Sequence, residues 1–146
     1  MTIRTMTIDD YEGVYDLWIH TPGMGLNTSD DSREGIEKYL KRNPTTCFVA
    51  EEQGQIIGVI LSGHDGRRGY IYHTAVLTSF RYQGIAARLI DQAIQAMEQE
   101  GIRKVALVAF ARNELGNGFW EHMGFTVRED LVYRNKALHE LKRIDT

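Results

Sequence analysis

Apolar and polar positions along this chain change period several times, and each change marks an element. TIRTMT reads as a short first strand. In DYEGVYDLWIH, Tyr11, Val14, Tyr15, Leu17 and Trp18 recur near helical spacing, with Asp9 or Asp10 placed to cap the helix. TPGMGL breaks it with a proline and glycines. REGIEKYLKRN carries a stripe of Ile36, Tyr39 and Leu40, starts at a Ser32 cap and is ended by Pro44. TCFVAEE and QIIGVILSG are strand runs joined at Gln53-Gly54. Asp65-Gly66 marks a hairpin tip, and GYIYHTAVL is a third run rich in β-branched and aromatic residues. Residues 46–77 are therefore expected to form an antiparallel meander.

Beyond the meander the period returns to that of a helix. GIAARLIDQAIQAMEQE places Ile85, Leu89, Ile90, Ala93, Ile94 and Met97 on one face, and Gly101 stops it. KVALVAF is a near-continuous apolar run, as expected of a strand covered on both faces. NELGNGFWEHMGF reads as a short helix with Asn113, Asn117 and Trp120 on one side. TVREDLVYRNKAL alternates like one or two final strands. The order implies an α/β sandwich around a mixed, mostly antiparallel sheet with helices on both faces.

Composition narrows the function classes. A chain of 146 residues suits one domain, residues 1–146. A net charge of −3 gives no electrostatic footprint for nucleic acid and none for an anionic membrane surface. No apolar run approaches the ~18 residues of a membrane span, and MTIRTMTIDD is charged where a signal peptide is apolar. Cys47 is the single cysteine, which fits a reducing compartment, and its apolar surroundings suit a buried side chain. A cytoplasmic protein is expected.

The segment richest in chemistry is AVLTSFRYQGIAARL, Ala75 to Leu89. A strand ends, Arg81 follows and Gly84 opens a helix, with the spacing R-x-x-G-x-A closed by Ala86. The first N–H groups of a helix lack internal partners and sit at the positive end of its dipole. A glycine there lets backbone approach an anion, and a pyrophosphate fits. The alternative is a plain strand-to-helix turn with a solvated arginine. The G-x-x-x-x-G-K-[ST] phosphate loop is absent, and the dinucleotide G-x-G-x-x-G pattern lacks its second and third glycines.

This segment resembles the acetyl-CoA-binding motif [RQ]-x-x-G-x-[GA] of the GNAT superfamily of N-acetyltransferases. IYHTAV before it resembles the family's preceding strand, and Asn113 followed by Trp120 and Gly124-Phe125 resembles a second family motif. The order of elements agrees along essentially the whole chain. The resemblance implies a GNAT fold with a V-shaped splay between the fourth and fifth strands, where acetyl-CoA lies. It implies that backbone N–H groups of Tyr82, Gln83, Gly84, Ile85, Ala86 and Ala87 hold the pyrophosphate, with Arg81 and Arg88 beside it. Val76 would pair with the pantetheine arm, Thr74 N–H would face the thioester oxygen, and Asn113, Asn117 and Trp120 would wall the gap.

The implied reaction is direct attack of a primary amine on the thioester, which needs an oxyanion donor and a route for protons. By strand alternation Tyr70, Tyr72 and Thr74 share the face that lines the gap, and His73 points away unless a bulge intervenes, which suits a packed, hydrogen-bonded side chain more than a base. Tyr72 is then the candidate to orient water or substrate. Many relatives carry a tyrosine acid where this chain has Trp120, whose indole donates hydrogen bonds but no proton. A thiolate is a fair leaving group, so the acid is dispensable, or is replaced by Tyr133 or water. The acceptor site would lie at TPGMGLNTSDDSRE, where Asp30, Asp31 and Glu34 could attract a cation. Whether that amine belongs to a small molecule or a peptide is not readable. A homodimer stays open, since many relatives are dimers. The rival to the enzyme is an acyl-CoA-binding regulatory module with little or no turnover.

Overall fold

Two tight turns set the meander. Gln53 and Gly54 both have positive φ, 49° and 81°, the backbone of a two-residue hairpin whose twist matches its strands. At the next corner Asp65 Oδ1 accepts the N–H groups of Arg67 and Arg68 at 2.8 Å, and Gly66 has φ 90°. These corners join β2 (Phe48–Glu52), β3 (Gln55–His64) and β4 (Gly69–Val76). With β1 (Thr2–Thr5) and β5 (Val105–Leu107) they form one sheet in the order β1-β2-β3-β4-β5. All pairs are antiparallel except β4 with β5. The computed structural model describes residues 1–144.

Helices cover both faces. α1 (Tyr11–Ile19) and α2 (Arg33–Arg42) lie on the face carrying Val49, Val59, Leu61 and Ala75. Ser32 caps α2 by accepting Gly35 N–H at 3.0 Å, as its position before the apolar stripe predicts. Asp10 does not cap α1. Its carboxylate turns back to Thr7 N–H, 2.9 Å, and to the Arg4 guanidinium, 2.7 and 2.9 Å. On the opposite face α3 (Ile85–Gln99) packs Ile85, Leu89, Ile90 and Ala93 against Ile57, Ile60, Ile71 and Val76. Each buried isoleucine, leucine or valine among them contributes roughly 1.5–3 kcal/mol. The approach is close at Gly58, where a Cβ would sit 3.0 Å from Leu89 Cδ1 and 3.3 Å from Ile85 Cγ2. That contact fixes the start of α3 against β3.

β4 contains a bulge. Ile60 pairs with Thr74 but Ser62 pairs with Ile71, so Leu61 opposes two residues, Tyr72 and His73. Alternation across β4 is broken there. Thr74 shares its face with Ile60, toward α3, whereas Tyr72, His73 and Tyr70 lie toward α1 and α2. The expected shared face of Tyr70, Tyr72 and Thr74 is thereby corrected.

The far side of the sheet is thinner than the apolar pattern predicts. β5 keeps three residues, Ala106 is exposed and Val108 is 57% exposed. The helix that follows, α4 (Glu114–His122), buries none of its residues completely. The final alternating segment forms no strand among the described residues. It runs from Thr126 past Tyr133 along a groove of about 1880 Å³ that separates it from β5. Alternation specifies which residues share a face but not which edge they join. The tail is tied elsewhere: Thr28 N–H donates to Lys142 O at 2.9 Å, and Ile144 N–H to Leu26 O at 3.0 Å.

Candidate active site

The splay begins where pairing stops. β4 and β5 are matched only from Gly69 with Val105 to Ile71 with Leu107, leaving Tyr72 to Val76 without a β5 partner. Hydrogen-bond parity shows which way the free backbone points. Leu77 N–H donates to Ile57 O at 2.7 Å, so Val76 and Gly58 face each other as a non-hydrogen-bonded pair. Two residues earlier, Thr74 opposite Ile60 has the same parity. The N–H and C=O of Thr74 and Val76 therefore point out of β4 into the splay.

The splay leads to a helix start built to be approached. After β4 a short 3-10 turn, Thr78–Phe80, brings the chain to Arg81. Tyr82 has φ 63° and Gly84 φ 76°, both left-handed, and the Tyr82 side chain stands 98% exposed. Nothing lies within 4 Å of a Cβ placed on Gly84. α3 has no capping side chain, unlike α2 and α4, and its first backbone bond inside the helix is Arg88 N–H to Gly84 O. The N–H groups of Ile85, Ala86 and Ala87 are thus left at the positive end of a 15-residue helix. Gln83 and Arg88 are exposed beside them, and Arg81 Nε leans 3.5 Å from Val76 O. The arrangement suits a diphosphate.

A cluster of tyrosines occupies the α1–α2 side of β4. Tyr72 is half-exposed, with its ring 4.6 Å from Tyr70 and edge-on to Tyr39 at 5.8 Å. Burial, with added repulsion from Asp30 and Tyr133, pushes the Tyr72 hydroxyl up, and burial does the same at Tyr70. Neither is suited to act as a base, but both can orient water. Tyr133, exposed on the tail, stands close enough to act electrostatically on both.

His73 sits beside them through the bulge. Its Nε2 is 2.8 Å from Asp31 Oδ1, and its ring meets Trp18 edge-on at 5.0 Å. The bulge on which the facing of His73 depends is present and the ring is hydrogen-bonded as expected, but its partner, 42 positions away, was not legible in the sequence. No local signal could have found it, since the bulge depends on the register of β3.

The α4 residues are engaged locally. Asn113 Oδ1 caps its own helix at Gly116 N–H, 2.9 Å, which leaves its amide nitrogen for other partners. Asn117 Nδ2 donates to Phe110 O and Asn113 O. Trp120 packs edge-on against Phe119 at 5.4 Å and Phe125 at 5.3 Å, and lines the groove with Asn117 and Tyr133. Cys47 is buried with its thiol on Ser62 O, and burial pushes it up to about 12, so it is no nucleophile. His122 is exposed and outside the site.

This geometry agrees with the relatives of the chain. The sequence profile of the Acetyltransferase (GNAT) family matches residues 11–125. An acetyltransferase of Pectobacterium atrosepticum is 33% identical over 140 residues, covering 96% of this chain and 97% of the relative. Among solved structures, Ard1 from Thermoplasma volcanium superposes with a TM-score of 0.76 at 22% identity, covering 87% of this chain and 83% of that one. The aminoglycoside N-acetyltransferase AAC(6')-Iy, solved with a bisubstrate analogue joining CoA to an acetylneamine, gives 0.71 at 21% identity, covering 93% and 97%. With a profile match over most of its length and a near full-length acetyltransferase relative, this chain belongs to the GNAT family of acetyltransferases.

Proposed function

We propose that the protein transfers an acetyl group from acetyl-CoA to a primary amine, by direct attack within a ternary complex. The observation that carries this reading is the free edge of β4 running into the uncapped start of α3. A strand-like pantetheine arm needs such an edge, and a pyrophosphate needs such a helix start. The bisubstrate analogue held by AAC(6')-Iy, whose fold this chain shares, supports CoA and amine meeting in one site.

The chain's own groups then have distinct tasks. Val76 N–H and C=O pair with the pantetheine amides. Thr74 N–H donates to the thioester oxygen as negative charge develops there. The backbone from Tyr82 to Ala87, with Arg81 and Arg88, holds the pyrophosphate. Asn113, Asn117 and Trp120 wall the gap from the α4 side, with the Asn113 amide nitrogen donating to the arm. Tyr72 orients water or the amine, and Tyr133 or water returns a proton to the departing sulfur. The acceptor enters past the α1–α2 loop, where Asp30 is exposed.

The test is thiol release from acetyl-CoA over a panel of small amines and peptide N-termini, with product mass measured in parallel. Acetylated amine and stoichiometric thiol are expected. CoA binding by calorimetry without turnover on any amine would instead identify a non-catalytic acyl-CoA-binding module.

A further inference from the structure

We propose that His73 is the proton acceptor of this transfer and that Asp31 positions it, an inference that rests on the amine-acetylation reading above. The imidazole is held at one end only. Nε2 lies 2.8 Å from Asp31 Oδ1. Asp31 is 3% exposed, and its Oδ2 accepts Asn27 N–H at 2.9 Å. A carboxylate accepts and does not donate, so Nε2 carries a ring hydrogen, and in the neutral ring Nδ1 carries the lone pair. Nδ1 has no hydrogen-bond partner among the described residues. Trp18 Nε1 is the single side-chain polar atom there that is both sealed from solvent and unpaired, so Nδ1, in a side chain 13% exposed, is not sealed.

Position supports the role. The bulge makes the proton acceptor and the oxyanion donor neighbours: His73 turns toward the acceptor loop, while Thr74 N–H points into the splay. The edge-on Trp18 ring, at 78°, holds the imidazole plane. The Asp31 backbone is fixed in turn by Tyr11, whose hydroxyl donates to Asp31 O at 2.7 Å. The titratable groups that meet His73 are Asp31 from the loop and Tyr72 from β4, whose ring lies 6.5 Å away; behind them stand Tyr11 on the Asp31 carbonyl and Tyr39 and Tyr70 against the Tyr72 ring. Burial pushes the hydroxyls of Tyr39 and Tyr72 up, so neither competes as a base.

The step balances. A bond forms between the amine nitrogen and the carbonyl carbon, and the carbon–sulfur bond breaks with its electron pair leaving on sulfur. The amine proton passes to His73 Nδ1, directly or through one water. Asp31 faces the positive charge that the ring gains.

The experiment is the pH dependence of kcat/KM with acetyl-CoA and the best amine of the panel, for wild type, His73→Gln and Asp31→Asn. Wild type should show a limb that rises with pH. His73→Gln should lose that limb and about 10²–10⁴-fold in kcat, with CoA affinity by calorimetry unchanged. Asp31→Asn should move the limb and lower kcat less. A His73→Gln protein that binds CoA and keeps the wild-type rate and profile overturns the role alone. Wild-type protein that binds CoA and acetylates no amine overturns the transferase reading, and this role with it. Should His73→Gln fail to fold, nitrogen NMR of the wild-type ring decides. In the neutral ring, a hydrogen on Nε2 with Nδ1 bare supports the assignment, and a hydrogen on Nδ1 with Nε2 bare overturns it.

Discussion

Asp10 shows how one carboxylate ties the first strand to the first helix. Burial works against its charge, but hydrogen bonds from the Arg4 guanidinium and Thr7 N–H outweigh it and hold the carboxyl below the usual carboxylate range. A depressed folded pKa stabilises the fold above the unfolded value of ~3.9, and that stability is lost as pH falls through the folded one. Thermal melts of wild type should therefore lose stability below about pH 4. Asp10→Asn should be less stable at pH 7 by about 1–3 kcal/mol and flatter across the acid window. Identical acid limbs in both proteins would assign the loss to other carboxylates. Cys47 gives a second expectation at this scale. Its buried thiol, pushed up to about 12, should not react with an aromatic disulfide reagent until the chain unfolds. Rapid labelling of one thiol in native protein would contradict that burial.

In the proposed transfer, cofactor binding depends on the strand-to-helix corner, and Gly84 separates its conformational and electrostatic demands. There is open space above Gly84, but its φ of 76° disfavours any side chain. Gly84→Ala should cost roughly 1–2 kcal/mol of stability from backbone strain and leave CoA affinity nearly intact. Gly84→Glu, which carries the same strain and sets a negative charge against the diphosphate, should abolish binding to a folded protein. Calorimetry beside thermal melts reads both effects, and equal affinities would remove this corner from the cofactor site. The corner was legible in the sequence because its signal is local: an arginine, a glycine and the onset of a helical apolar stripe. The Ser32 cap and both meander turns were legible for the same reason. The β4 bulge was not, because Leu61 opposes Tyr72 and His73 only after β3 and β4 choose their register. Asn113 is a mixed case. An asparagine three residues before Gly116 is a local capping signal, yet its family resemblance suggested a ligand contact, and the side-chain oxygen serves the cap.

At the scale of the whole molecule, packing is uneven, and the unevenness has a measurable consequence. β3 and α3 meet through residues with almost no exposure, such as Ile57, Ile60, Leu89 and Ile90. β5 pairs over three residues, α4 buries none completely, and Val127, Val132 and Leu138 are 75%, 75% and 85% exposed. Opening free energy follows buried apolar contact and protected backbone bonds. Amides of β3 and α3 should therefore exchange with solvent only near the global unfolding limit. Those of α4 and residues 126–138 should exchange orders of magnitude faster. Thr28 and Ile144 should behave as a third set, slowed together, because each amide is held across the junction of the tail with the α1–α2 loop. That junction borders Asp31, so its opening should release the carboxylate from Asn27 N–H and loosen the hold on His73. Hydrogen exchange read by mass spectrometry distinguishes the cases. Uniform protection from β3 through residue 138 would show that α4 and the tail are as firmly packed as the sheet. Fast exchange at Thr28 with slow exchange at Ile144 would show that the tail does not brace the loop.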